Sequence, residues 1–309
     1  MSTAARITAF MLTVASLLLR AAVVMGVGGE PQEECADERT CLPFDLTTDP
    51  SLTAEIREAL GAQWVDNGLA EHASVASFSR FSLQLMSVAA PAALVEAAHL
   101  AAIDEINHAK LCFGLAAKFT GKQLGPGPFP IPDGVVEVAT NLREMATSVA
   151  VEGCIGETMS VVRAAAQISM TDDPSVRKVL TTIATDEARH AGLAWKTVRW
   201  AYTTGSDEVK EAIRASLNRP FAILPPAPAA AAHERDQVLL RYGVLSKQAT
   251  RELDIEHREW LLPGMIEALT NGSRQVSLDY TAKPCTAEVK QFVKTFLEVA
   301  GFSASTQLS

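Results

Sequence analysis

The stretch ATDEARHAGLAW, residues 184–195, sets a glutamate and a histidine three positions apart, Glu187 and His190, inside a pattern that reads as helix. Residues three apart lie about 60° apart around an α-helix, so the two side chains share a face. A single Glu-x-x-His pair is a common accident and decides nothing. The chain, however, carries a second copy in AAIDEINHAKLCF, residues 101–113. The hexad Asp-Glu-x-x-His-Ala recurs as Asp104, Glu105, His108, Ala109 and as Asp186, Glu187, His190, Ala191.

The repeat extends one helix upstream of each copy. LAEHASVASF places Glu71 34 residues before Glu105, and AVEGCIGETM places Glu152 35 residues before Glu187. Small residues keep the register, Ala73 against Cys154 and Ser77 against Thr158. The unit that repeats is therefore a helix with a glutamate, a turn, and a helix with Glu-x-x-His. Glu157 complicates the third helix, because it lies 30 residues before Glu187 and about 140° from Glu152 around an α-helix. Register favours Glu152, with Glu157 open as the ligand itself, an additional ligand, or an acid behind the ligands.

The segments around these motifs organise as helices. One runs from Leu52 or Gln63 to Val88, is broken at Ala90-Pro91, and is followed by a second over 92–120. GKQLGPGPFPIPDG, residues 121–134, is too rich in glycine and proline for a helix. A third helix is expected over 136–169, and TDDP, residues 171–174, supplies a capping aspartate and a first-turn proline for a fourth to Thr203. The two short turns predict two antiparallel hairpins. The 14-residue connection reaches roughly 45 Å when extended, enough to run the length of a helix of about 30 residues. Further helices are expected at 207–217, 234–271 and 286–300, interrupted by the Pro/Ala-rich residues 219–232.

Composition agrees with an all-α fold. Of 309 residues 48% are hydrophobic but only 6% aromatic, a mixture that suits close-packed helices better than a β-sandwich. A net charge of −9 and the lack of a basic run argue against a nucleic-acid partner. At the start, Arg6 precedes an apolar run from Ile7 to Leu19, and no acid appears before Glu30. Residues 1–28 read as a signal peptide, or an N-terminal membrane segment if uncleaved, although Arg20 interrupts any continuous span. A misassigned start is the remaining alternative. The expected location is thus exported, periplasmic or extracellular, with N-terminal membrane association open. Residues 29–50 read as a linker, 51–205 as the four-helix bundle and 206–309 as a helical C-terminal extension packed on it.

Of the five cysteines, Cys35 and Cys41 bracket a short loop and can form a disulfide in an oxidising compartment. Cys112 and Cys154 lie in apolar helical patterns and read as buried thiols. Cys285 can be free or paired, and no spacing matches a zinc site.

With all six positions in register, the chain resembles the ferritin-like di-iron carboxylate superfamily over roughly residues 65–203. That group takes one glutamate from each of two helices and Glu-x-x-His from each of the other two. The resemblance implies a four-helix bundle made of two hairpins with one long crossover. It implies two iron ions, or manganese, held by Glu71, Glu105, His108, Glu152 or Glu157, Glu187 and His190. Four carboxylates balance two divalent ions, and hard oxygen with borderline nitrogen donors suits iron or manganese. It further implies O2- or peroxide-activating oxidoreductase chemistry on a small-molecule substrate, with an electron donor and a monomeric or homodimeric protein. The alternatives are a non-catalytic metal-binding or structural bundle, and ferroxidase or iron-storage activity. Asp104 and Asp186 either orient the imidazoles or lie on a solvated face. His72, His99, Trp195, Trp200 and Tyr202 are read as structural, and His233 and His257 suggest no role by spacing.

Overall fold

The computed structural model describes residues 48–122, 124–127, 129, 137–219, 233–278 and 287–306. The apolar N-terminal segment, most of the linker, and Cys35, Cys41 and Cys285 lie outside these residues. Among the described residues the chain is mostly helical, with eight helices and two four-residue strands. The all-α expectation therefore holds. In chain order the elements are α1 (Ala54–Ser87), α2 (Ala92–Thr120), and α3, which is built from Leu142–Val149, a π-helical stretch Ala150–Glu157, and Thr158–Met170. There follow α4 (Pro174–Thr204), α5 (Asp207–Leu217), α6 (His233–Leu240), α7 (Lys247–Thr270), β1 (Gln275–Leu278), α8 (Ala287–Val299) and β2 (Ser303–Thr306).

The described residues divide into two compact units, one within Met1–Leu83 and His99–Val138, the other within Gln84–Ala98 and Ala139–Ser309. In the first, α1 and α2 run antiparallel. A Cβ at Gly61 would overlap Thr120, and one at Gly68 would come within 3.0 Å of the Phe113 ring. Glycine at these two positions lets the backbones approach, and the pairing descends from 61 with 120 to 68 with 113.

In the second unit α3 and α4 are also antiparallel. A Cβ at Gly153 would stand 2.5 Å from Ala194 Cβ, and near the turn Arg177 Nη1 donates to the Ile168 carbonyl at 2.7 Å. Asp173 caps α4, accepting from Ser175 N at 2.9 Å and Val176 N at 3.0 Å, with Pro174 in the first turn as expected. The described residues beyond 206 pack on this unit. Gly192 of α4 admits Val299 of α8, and Arg163 of α3 grips Asp254 of α7 with two hydrogen bonds of 2.7 and 2.5 Å.

Three features differ from expectation. Helix α3 begins at Leu142, not 136, because the Asn141 side chain accepts from Glu144 N at 3.0 Å and fixes the first turn there. The helix expected over 234–271 is two helices. Gly243, with φ +74°, ends α6, and Ser246 caps α7 by accepting from Ala249 N at 3.2 Å. The parallel pair of β1 and β2, in register from Gln275 opposite Ser303 to Leu278 opposite Thr306, has no counterpart in the sequence reading. Among the described residues no helix is long and apolar enough to cross a membrane.

Candidate metal centre

Both Glu-x-x-His motifs lie on the buried stripe of their helix. In α2 the stripe runs Ala98, Ala101, Glu105, His108, Cys112, Leu115, Phe119, all buried. In α4 it runs Val176, Leu180, Ile183, Glu187, His190, Ala194, Val198, Ala201, again all buried. Steps of three and four residues keep one face inward, so the spacing that packs each helix also carries its glutamate and histidine inside. Glutamate is almost never fully buried without a charged or metal partner.

In the first unit, α1 contributes Glu71 and α2 contributes Glu105 and His108. His108 Nδ1 lies 3.5 Å from Glu105 Oε2 and 3.7 Å from Glu71 Oε2. The His108 and Glu105 side chains are 0% and 1% exposed, while Glu71 keeps 20%. In the second unit, His190 Nδ1 lies 3.9 Å from Glu187 Oε1, and Glu157 of α3 completes a second triad with them. Within each triad one ligand atom per residue lies within 4.8 Å of the others. Bonds of about 2.0–2.2 Å to a divalent ion place opposite ligands about 4.4 Å apart, so either triad can close on one ion with small adjustments. The donor set is carboxylate oxygen and imidazole nitrogen without thiolate, which suits a first-row divalent metal and does not single one out.

The third-helix carboxylate in this cluster is Glu157, whereas repeat register favoured Glu152. The reason is the π-helical stretch. Its i→i+5 hydrogen bonds widen each turn, so the α-helical geometry of the first hairpin does not carry over to this segment. It also brings residues five apart close together on the helix surface, so Glu152 and Glu157 are not separated by the 140° of an α-helix. They differ in level. Gly153 packs against Ala194, which is four residues, or about 6 Å, along α4 from His190. Glu152 stands beside that level and accepts from Ser148 Oγ at 3.0 Å. A stretch of π-helix leaves no signal in a pattern of apolar residues, and the closer Glu157–Glu187 spacing was the available clue.

The remaining residues fall into place around the triads. Asp104 and Asp186 are buried, not on a solvated face, and Asp186 Oδ1 pairs with Arg189 Nη2 at 2.6 Å. His99 is exposed, and His72 meets Phe129 edge-on with ring centres 6.1 Å apart. Trp195 is fully buried, donates to Thr158 Oγ1 at 3.1 Å, and packs edge-on to Phe302. Tyr202 is buried and its hydroxyl accepts from Arg214, whereas Trp200 is half-buried. Cys112 and Cys154 are buried thiols as expected, and burial pushes the Cys154 thiol well above its ordinary pKa. His257 is buried in α7, 3.0 Å from the Leu253 carbonyl, and the His233 side chain lies outside what is described. Sequence reading missed the ion pair of Arg163 and Asp254, which no local pattern marks. Compared with known proteins, the chain matches no family model, no curated protein and no solved structure.

Proposed function

We propose that each triad holds one divalent ion, iron or manganese, as the resemblance to the ferritin-like di-iron carboxylate bundles implies. The observation that supports this most is the recurrence of the same buried arrangement. Each hairpin sets one glutamate from its first helix beside Glu-x-x-His on its second, in positions that apolar side chains hold elsewhere along the stripe. Glu71, Glu105, Glu157 and Glu187 carry four negative charges, which two divalent ions balance. Leaving such charges in an apolar seam without a cation costs several kcal/mol per ion, by the order of magnitude known for buried carboxylates.

Two such ions supply electrons and Lewis acidity for oxidative chemistry on O2 or peroxide. The chain's own residues do the rest. Glu105 and Glu187 bring charge to the buried side of each triad, and the packed stripe fixes the ring planes of His108 and His190. Glu71 is the more exposed member of the first triad. The same reading takes the apolar run Ile7–Leu19 as an export signal. The test is oxygen uptake by the ferrous-loaded protein, with and without a reductant. Sustained uptake with reductant supports an oxidoreductase. A loaded protein that consumes no oxygen leaves a structural metal site and contradicts the enzymatic part.

A further inference from the structure

The C-terminal half of α4 carries a cation that its surroundings do not neutralise. The Arg199 guanidinium carbon lies 4.4 Å from the centre of the Phe302 ring, and Nη1 donates to the Gly301 carbonyl at 3.4 Å. Nη2 is buried and meets no acceptor. Buried guanidinium nitrogens are normally satisfied, so this one calls for an explanation. The charge that acts on it, that of Arg274, is of the same sign. The Arg274 carbonyl accepts from Ser303 N at 2.7 Å, which sets Arg274 beside Phe302, and its side chain is exposed. Burial, and after it the charge of Arg274, lowers the pKa of Arg199 from its ordinary value.

Five other arginines differ from it, while Arg177 spends its guanidinium on two backbone carbonyls. Arg143, Arg163, Arg189, Arg214 and Arg241 each pair with a carboxylate. Among the described residues no carboxylate pairs with Arg199 or Arg274, although the chain as a whole carries a net charge of −9. Two arginines held close enough to repel, in an acidic protein with acids to spare, are an arrangement that an anion resolves. Phe302 covers one face of the Arg199 guanidinium, and the fork of N–H groups on its edge is the element that recognises phosphate and carboxylate oxygens.

We propose that Arg199 and Arg274 form an anion site that takes a phosphate-type dianion, with Arg199 Nη2 as the buried donor and Arg274 as the outer clamp. Two positive charges favour a dianion over a monoanion. All of its residues belong to the second unit, and the site does not depend on the metal reading.

The test is isothermal titration of the full chain with inorganic phosphate at constant ionic strength, chloride replacing phosphate in the control. One phosphate per chain is expected, with acetate at least tenfold weaker. Arg274→Gln is expected to lower phosphate affinity about tenfold or more, as for loss of one charge-assisted contact. Arg199→Gln is expected to abolish binding, but it also strips the packing on Phe302. Arg274→Gln, at an exposed position, therefore carries the decision. No saturable phosphate binding, or equal binding by Arg274→Gln, overturns the site. Acetate binding as tightly as phosphate overturns the assignment to a dianion.

Discussion

His108 Nδ1 stands 3.5 Å from Glu105 Oε2 one turn away on α2, and both side chains fill places in a stripe otherwise made of alanine, cysteine, leucine and phenylalanine. The relation recurs in α4, where His190 Nδ1 stands 3.9 Å from Glu187 Oε1. Polar groups set into a packing stripe reduce the stability of the metal-free protein and have value only when something binds them.

That trade gives a first prediction. Glu105→Leu is expected to raise the stability of the metal-free protein, by about 1–4 kcal/mol on the precedent of buried charges replaced by apolar groups. The same change is expected to remove metal binding at the first triad. Urea denaturation in chelator, with and without added metal, reads both effects. A variant less stable than wild type in chelator would show that Glu105 is satisfied by the protein alone.

The two glutamates of the π-helical stretch should separate cleanly. Glu157→Ala is expected to weaken metal binding at the second triad by more than 100-fold, beyond the 10–100-fold typical of residues that only support a ligand. Glu152→Ala should stay within about tenfold of wild type, since its carboxylate accepts from Ser148 and lies at the level of Ala194. Metal titration of both variants decides it, and the reverse order would return the ligand role to Glu152.

Helix α1 ends in a motif that prefers glycine. Ala90 N donates to the Leu85 carbonyl at 3.0 Å and Ala89 N to Met86 at 3.2 Å, with Ala89 at φ +53°. Gly243 and Gly301 hold the corresponding place at the ends of α6 and α8. The left-handed conformation costs a residue with a Cβ roughly 1–2 kcal/mol, and part of that gain is offset by the extra freedom of glycine when unfolded. Ala89→Gly is therefore expected to stabilise the protein by about 0.5–1 kcal/mol, measured by thermal or urea unfolding.

Cys154 predicts a dependence on alkaline pH. Its thiol is fully buried and its folded pKa is raised above the ordinary 9.0 by desolvation. Below pH 9 both states hold the proton and the group adds no slope. Above it the unfolded chain releases a proton that the folded chain keeps, so stability falls as pH rises, by up to about 1.4 kcal/mol per pH unit. Cys154→Ala should remove that part of the slope between pH 9 and 10. Equal slopes in both proteins would show that the thiol titrates alike folded and unfolded.

Much of this was legible in the sequence, for identifiable reasons. Apolar spacing marks α1, α2 and α4, and Asp173-Pro174 marks the start of α4, because packing and capping act through local residue types. Five of the six candidate ligand positions were visible because the hairpin is repeated, and the repeat brought out Glu71, Glu105, His108, Glu187 and His190 together. The choice between Glu152 and Glu157 was not visible, since it depends on a local change from α- to π-helical hydrogen bonding that leaves no mark in composition. The β1–β2 pair and the Arg163–Asp254 bridge join distant parts of the chain, 28 and 91 residues apart, and leave no local pattern.

The central claim is tested most directly by counting metal. The full chain, loaded anaerobically with ferrous or manganous ion and passed through a desalting column, is expected to retain two ions per chain by elemental analysis. Glu105→Ala and Glu187→Ala should each lose at least one of them. A wild-type protein that retains none after loading would contradict the account.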